Sequence, residues 1–271
     1  MANVWLRVAL ALYGIGLLYI LVALTRTKKV LNSLALHAAY LGTIFQFVSI
    51  AETVNQSGEL SLASLSLAAS ILGFLIMVVF LLVYMVYQTT SPGIVVFPVV
   101  FLLTFVAASG QEPFVLASAS ARQSWLIAHI TLIFAGYAAL VLSFSASLLY
   151  LIQENMLKQK RAIGLLSRLP ALQLTDEIGF RSLLIGFPFT TGGLAIGLML
   201  AQASFGHIDF RDPKILLSLL TWGVYLILVY SRWSAGWRGR RAAYLGAGVF
   251  AMAVVAWAAN YYSAVHRLAR P

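Results

Sequence analysis

Four histidines and no cysteine set the metal and proton chemistry open to this 271-residue chain. Without thiols, it can form no disulfides, no thiolate metal site and no CxxCH attachment site, and thiol redox chemistry is excluded. A metal would have to be held by His, Met, Tyr, carboxylate or backbone oxygen. The imidazoles are His37, His129, His207 and His266. No P-loop, no HExxH zinc motif and no GxSxG nucleophile elbow accompanies them, so a binding protein is expected here and not an enzyme.

The elements that position these rings follow from composition. The chain is 61% hydrophobic and only 10% charged, with a mean hydropathy of +0.92, far more apolar matter than a soluble domain buries behind a polar surface. This predicts an all-α, polytopic membrane protein, one integral domain over 1–271. A hydrocarbon core about 30 Å thick takes about 20 residues of helix. Uncharged runs near that length predict eight transmembrane helices, at 4–24, 31–51, 65–87, 93–108, 125–152, 182–203, 215–230 and 242–262. The first run lacks a basic n-region and is followed, not preceded, by Arg26, Lys28 and Lys29, so it is read as a retained helix. The connection from Gln153 to Arg181 breaks at Pro170 and then reads Leu172, Leu174, Ile178, Phe180, which fits a short interfacial helix or a solvated linker.

The net charge of +10 is read by location and not as a nucleic-acid footprint. With both termini outside, Arg26, Lys28, Lys29, Lys158, Lys160, Arg161, Arg168, Arg181, Arg232, Arg238, Arg240 and Arg241 fall on the cytoplasmic side, twelve of the 18 bases. That bias predicts the termini and the 205–214 loop on the outer face of the membrane, and the membrane itself is expected to be a bacterial plasma membrane.

Depth then sorts the histidines. His37 lies about 9 Å above the inner boundary and His129 about 6 Å below the outer one, about 15 Å apart in depth. Two imidazole nitrogens on one ion stand only about 4 Å apart, so His37 and His129 cannot share a metal. His129 and His266 both fall at the outer interface, and His207 hangs over the same face. An imidazole pair suits haem iron with its two axial positions, whereas zinc sites usually add a third protein ligand. The alternative for each ring is an interfacial histidine hydrogen-bonded to a carbonyl or water. Residues Phe205, Gly206, His207, Ile208, Asp209, Phe210, Arg211, Asp212, Pro213 and Lys214 form the densest polar and aromatic cluster outside the spans. Its aromatics suit a flat macrocycle and Arg211 or Lys214 its propionates; the alternative is an aromatic belt whose charges pair among themselves.

Phe205 to Lys214, with Leu220-Thr221-Trp222-Gly223-Val224-Tyr225 and Gly236-Trp237-Arg238-Gly239-Arg240-Arg241-Ala242-Ala243, resembles the cytochrome c assembly protein family. The stretch from His129 through Gly136-Tyr137 to Tyr150, and Gly186-Phe187-Pro188-Phe189 with Gly192, Gly193 and Gly197, is similar to it too. The resemblance covers the whole chain and is nearest the HemX and YpjD branch. It implies non-covalent haem b bound near the outer face, with His129 and His266 as axial ligands under the 205–214 loop and His37 as an inner haem site. It also implies haem handling for cytochrome c maturation or control of haem supply, in the lipid bilayer and beside other haem-biogenesis membrane proteins. The loop departs from the family pattern: Phe205 and Phe210 stand where tryptophans are usual, His207 intrudes, and Ile215 replaces an acidic residue. One rival reading is a HemX- or YpjD-type regulator or scaffold without haem. The other is a small-solute transporter, which the scarcity of mid-membrane carboxylates disfavours.

Small residues are expected to set the packing: Gly186, Gly193 and Gly197 on the sixth helix, Gly14 and Gly16 on the first, Gly246 and Gly248 on the eighth.

Overall fold

A computed structural model describes residues 1–26, 29–57, 65–110, 121–159 and 170–259. Those residues form eight helices and no strands: α1 (Ala2–Thr25), α2 (Lys29–Ser57), α3 (Leu65–Tyr87), α4 (Gly93–Ser109), α5 (Ala121–Lys158), α6 (Leu172–Phe205), α7 (Pro213–Ser234) and α8 (Arg240–Ala258). Seven are long and apolar enough to cross a membrane, and the eighth, α4, is a shorter apolar helix of 17 residues, or about 25 Å. In hydrocarbon each backbone N–H and C=O must be satisfied inside its own segment, and a helix does this with no outside partner. The protein is thus an all-helical, multi-pass membrane protein.

A described helix overlaps each predicted run; residues 260–262 of the last run lie outside the described residues, α2 continues to Ser57, and two other edges differ. Helix α5 runs 38 residues, about 57 Å, and its polar ends reach well past the predicted 125–152. Residues 172–180, expected as a separate interfacial helix or a linker, are instead the first turns of α6, continuous through Phe205. Pro170 stops nothing downstream, because a proline ahead of a helix costs it no hydrogen bond.

The helices run up and down, so that chain neighbours are antiparallel. Ser49 Oγ donates to the Ala2 carbonyl (2.9 Å), Ser66 Oγ to that of Ala107 (2.6 Å), and Lys214 Nζ to that of Ala256 (2.9 Å). These bonds join the starts of α1, α3 and α7 to the ends of α2, α4 and α8. Helices α1 to α4 pack as one group and α5 to α8 as another, with α5 touching both α3 and α4.

The first group closes on Tyr13, Phe80, Phe97, Ile76 and Met77, all fully buried. At its centre Tyr13 Oη donates to Gln46 Oε1 (2.7 Å), while Gln46 Nε2 donates to the Ser70 carbonyl (3.0 Å) and reaches Thr104 Oγ1 (3.4 Å). One glutamine therefore ties four helices in a solvent that gives apolar surfaces no drive to associate. As expected, Gly16 and Gly246 mark close approaches, to Phe97 and Ser147, but Gly248 has nothing within 4 Å and plays no such part.

The second group is organised by the antiparallel seam between α5 and α6. Gly179 lies against Ala146, Gly186 against Ala139, Gly193 against Ile133 and Gly197 against His129. Positions rise along α6 about as fast as they fall along α5, so the seam keeps register over its whole length. A Cβ at Gly186 would sit 2.8 Å from that of Ala139, and one at Gly193 2.8 Å from Ile133 Cδ1. Only glycine allows the backbones this close. Helix α7 packs beside this seam: Trp222 Nε1 donates to Thr191 Oγ1 (3.0 Å), and Tyr225 Oη, which a Cβ at Gly186 would also meet, donates to the Leu183 carbonyl (2.7 Å).

Candidate functional site

The α5–α6 seam ends at His129. Its Nδ1 lies 2.6 Å from the Gly193 carbonyl oxygen, and the half-buried ring packs on Gly197. The ring stands about 12 Å in from the first residue of α5. A carbonyl only accepts, so Nδ1 carries the proton and Nε2 keeps its lone pair. The interfacial alternative, a histidine bonded to a carbonyl, is thus realised at one ring nitrogen. The other has no hydrogen-bond partner among the described residues and remains a donor for a metal.

Lys214, in the first turn of α7, acts electrostatically on His129 and donates its Nζ to the Ala256 carbonyl near the end of α8. Through these two residues the start of α5, the end of α6, the start of α7 and the end of α8 meet at one end of the bundle. His266 follows α8 in the chain and lies outside the described residues, so its pairing with His129 has no counterpart in the structure.

Part of the polar density of the 205–214 loop builds helix ends. Gly206 closes α6 in a left-handed conformation (φ 74°), which a side chain would strain, and its N–H donates to the Gln202 carbonyl (2.9 Å). Asp212 caps α7, accepting from the N–H groups of Lys214 (2.9 Å) and Ile215 (3.3 Å), and Pro213 takes the first helical position, where no N–H is needed. Asp209 Oδ1 accepts the N–H of Arg211 (2.9 Å). The carboxylates thus serve backbone donors, and Lys214 serves a backbone acceptor. His207, Phe210 and Arg211 are exposed on this end; the backbone of Phe205 is the last turn of α6.

His37 is placed elsewhere. It stands near the start of α2, and Arg181 of α6 lies over the Tyr87 ring at the end of α3 (5.9 Å). Because α2 and α3 are antiparallel, with Gln46 bonded to Ser70, the start of α2 shares the end of the bundle where α6 begins. That is the end opposite His129. His37 does not point into the core: it is exposed on the outer surface of α2, with Nδ1 2.6 Å from the Ser33 carbonyl of its own helix.

At this second end a buried ion pair fastens α6 to α7. Arg232 Nη2 lies 2.9 Å from Asp176 Oδ2 and also reaches the Asp176 carbonyl (3.2 Å), while Asp176 Oδ1 accepts the N–H of Gly239 ahead of α8 (3.4 Å). The Arg232 guanidinium lies over the Phe180 ring at 4.8 Å. Sequence reasoning counted Arg232 as a solvent-side charge and passed over Asp176. An acidic residue facing a base at a neighbouring helix end was the available signal.

Among the described residues this end offers one of the two imidazoles that a bis-imidazole haem site takes. One neutral imidazole is held by a fixed carbonyl and presents Nε2, and a cation for a carboxylate stands on the neighbouring helix. Among the described residues no group of three His, Cys, Asp or Glu side chains gathers as a multi-ligand ion site would require.

The fold is that of a helical multi-pass membrane protein, and its residues define the group more closely. The family model described as Cytochrome C assembly protein matches residues 3–263. The chain belongs to the cytochrome c assembly protein family. It is 30% identical over 142 residues to the "Cytochrome c biogenesis protein CcsA" of Mesostigma viride, covering 45% of this chain and 47% of that one. To the "Protein HemX" of Brevibacillus brevis it is 30% identical over 142 residues, 52% of this chain and 51% of the other. To the CcsA of Guillardia theta it is 25% identical over 277 residues, 93% of this chain and 87% of that protein. The chain spans about half the length of the first two relatives.

Proposed function

We propose that this protein binds haem b non-covalently at the end of the bundle that carries His129, and handles it for cytochrome c assembly or for control of haem supply. The observation that carries this reading is the His129–Gly193 hydrogen bond, which leaves Nε2 as a lone-pair donor within electrostatic reach of Lys214. His129 is one axial ligand and His266 the second; Lys214, with Arg211 on the exposed loop, offers positive charge to the propionates. Bound haem would supply an iron that takes two imidazoles, and the chain's own contribution is to orient one of them. His37, at the opposite end, serves a separate inner haem site. The end bearing His129 faces outward from a bacterial plasma membrane, and the protein acts by binding, with lipid and other haem-biogenesis membrane proteins around it.

The test is the absorbance spectrum of purified protein titrated with haem. A bis-imidazole spectrum is expected, and His129→Ala or His266→Ala should shift it and weaken retention, while His207→Ala should leave it unchanged. No haem band on titration, or the same spectrum in both axial variants, would defeat this reading and leave the regulator or scaffold reading in its place.

A further inference from the structure

We infer that Gly193 and Gly197 are positioning residues that hold His129 in one tautomer and one ring orientation, making Nε2 its single metal-binding nitrogen. The inference deepens the haem reading above and rests on it for the identity of the ligand; the tautomer itself belongs to the protein without ligand.

Three observations carry it. The Nδ1 to Gly193 carbonyl contact of 2.6 Å joins residues 64 apart in sequence, so tertiary packing and not local helix geometry sets it. By contrast, His37 bonds the carbonyl of its own preceding turn. Second, the Gly193 carbonyl reaches His129 only because α6 sits directly on α5. A Cβ at Gly193 would lie 2.8 Å from both Cγ1 and Cδ1 of Ile133 and 3.1 Å from its backbone nitrogen. Third, a Cβ at Gly197 would lie 2.5 Å from His129 Cε1, 2.9 Å from Nδ1 and 3.4 Å from Nε2. The atom it would strike hardest is the carbon between the two nitrogens. A side chain at this position therefore requires the ring or α6 to shift from the arrangement in which Nδ1 meets the Gly193 carbonyl.

The chemical consequence follows from the imidazole. A free histidine exchanges between two tautomers and rotates about its side-chain bonds, whereas a ligand should present one lone pair in one direction. A carbonyl on Nδ1–H fixes the tautomer and raises the basicity of Nε2, and loss of such a partner typically costs about 10- to 100-fold in metal affinity. In this protein the partner is a backbone atom, so the glycines that permit its approach take the place of a supporting side chain.

The experiment is ¹⁵N NMR of histidine-labelled, haem-free protein in detergent, with the His129 signals assigned by their loss in His129→Ala. Wild type should show Nδ1 protonated and Nε2 unprotonated at neutral pH. Gly197→Ala should move these signals toward a mixture of tautomers and weaken haem retention about 10- to 100-fold, while Gly248→Ala, with open space around it, should change neither. An Nε2–H tautomer in wild type overturns the proposal whatever happens to Gly197→Ala, so a misfolded variant cannot shield it. Unchanged His129 signals in a folded Gly197→Ala protein overturn it as well. Should the NMR results be as expected while wild type binds no haem, the positioning role stands and the haem reading falls.

Discussion

Replacing Asp176 with alanine should cost the protein several kcal/mol, and the geometry shows why. The Arg232 side chain is only 4% exposed, and Asp176 supplies both its carboxylate partner at 2.9 Å and, through its backbone, a carbonyl partner at 3.2 Å. Arg232 Nε already lacks a hydrogen-bond partner among the described residues, so removing the carboxylate leaves a buried cation held by one carbonyl and the face of Phe180. Breaking a buried pair from one side typically costs about 3–5 kcal/mol, because the remaining charge stays desolvated. The Gly239 N–H loses its acceptor at the same time, which adds about 1 kcal/mol. At about 2–4 °C per kcal/mol for a chain of this size, Asp176→Ala should lower the melting temperature by on the order of 10 °C. The assay is thermal unfolding of detergent-solubilised protein followed by tryptophan fluorescence. Arg232→Met removes the charge and keeps much of the packing, so Asp176→Ala with Arg232→Met should be more stable than Asp176→Ala alone. If the single variant melts within about 2 °C of wild type, or the double variant loses the full sum of both singles, the pair is solvated and the reasoning is wrong.

Three further outcomes are expected. Gly186→Leu forces a side chain into a seam where a Cβ already meets Tyr225 Oη at 2.6 Å, so it should destabilise the protein by about 1–3 kcal/mol or more in the same melt, with the α1–α4 half retained longest. Gln46→Leu removes the acceptor of Tyr13 and the donor to Ser70, and should cost about 1–3 kcal/mol; Tyr13→Phe should cost less, and the reverse order would deny the glutamine its central place. Reporter fusions at Arg161 and His207 should label opposite faces of the membrane, with His207 outside; labelling on one face would overturn the topology.

The spans could be read directly from the chain, because a bilayer imposes a minimum uncharged length and the penalty for breaking it is steep. Their edges were less legible. Beyond the hydrocarbon a helix can continue through polar sequence, so Ala121 to Ser124 and Gln153 to Lys158 belong to α5, although nothing in their hydropathy requires it. The same reason hid the first turns of α6, where Asp176 and Arg181 sit on a continuous helix. The Asp212-Pro213 start of α7 carried a local signal, an acceptor followed by a proline, and its capping role could have been read without a fold.

The residue types of the candidate site were set by the sequence: which side chains can ligate, how many there are, and that His37 and His129 lie at different depths. Which face of its helix each ring occupies was decided only in the folded bundle. In a soluble helix an apolar stripe betrays the buried side, but in a bilayer the core-facing and lipid-facing sides are both apolar and that pattern vanishes. His37 on an exposed face and His129 against α6 are therefore outcomes of packing. So are the partners: the Gly193 carbonyl and the Ala256 carbonyl belong to the backbone that every residue carries, and no sequence motif marks a main-chain oxygen as the one a distant histidine or lysine will meet.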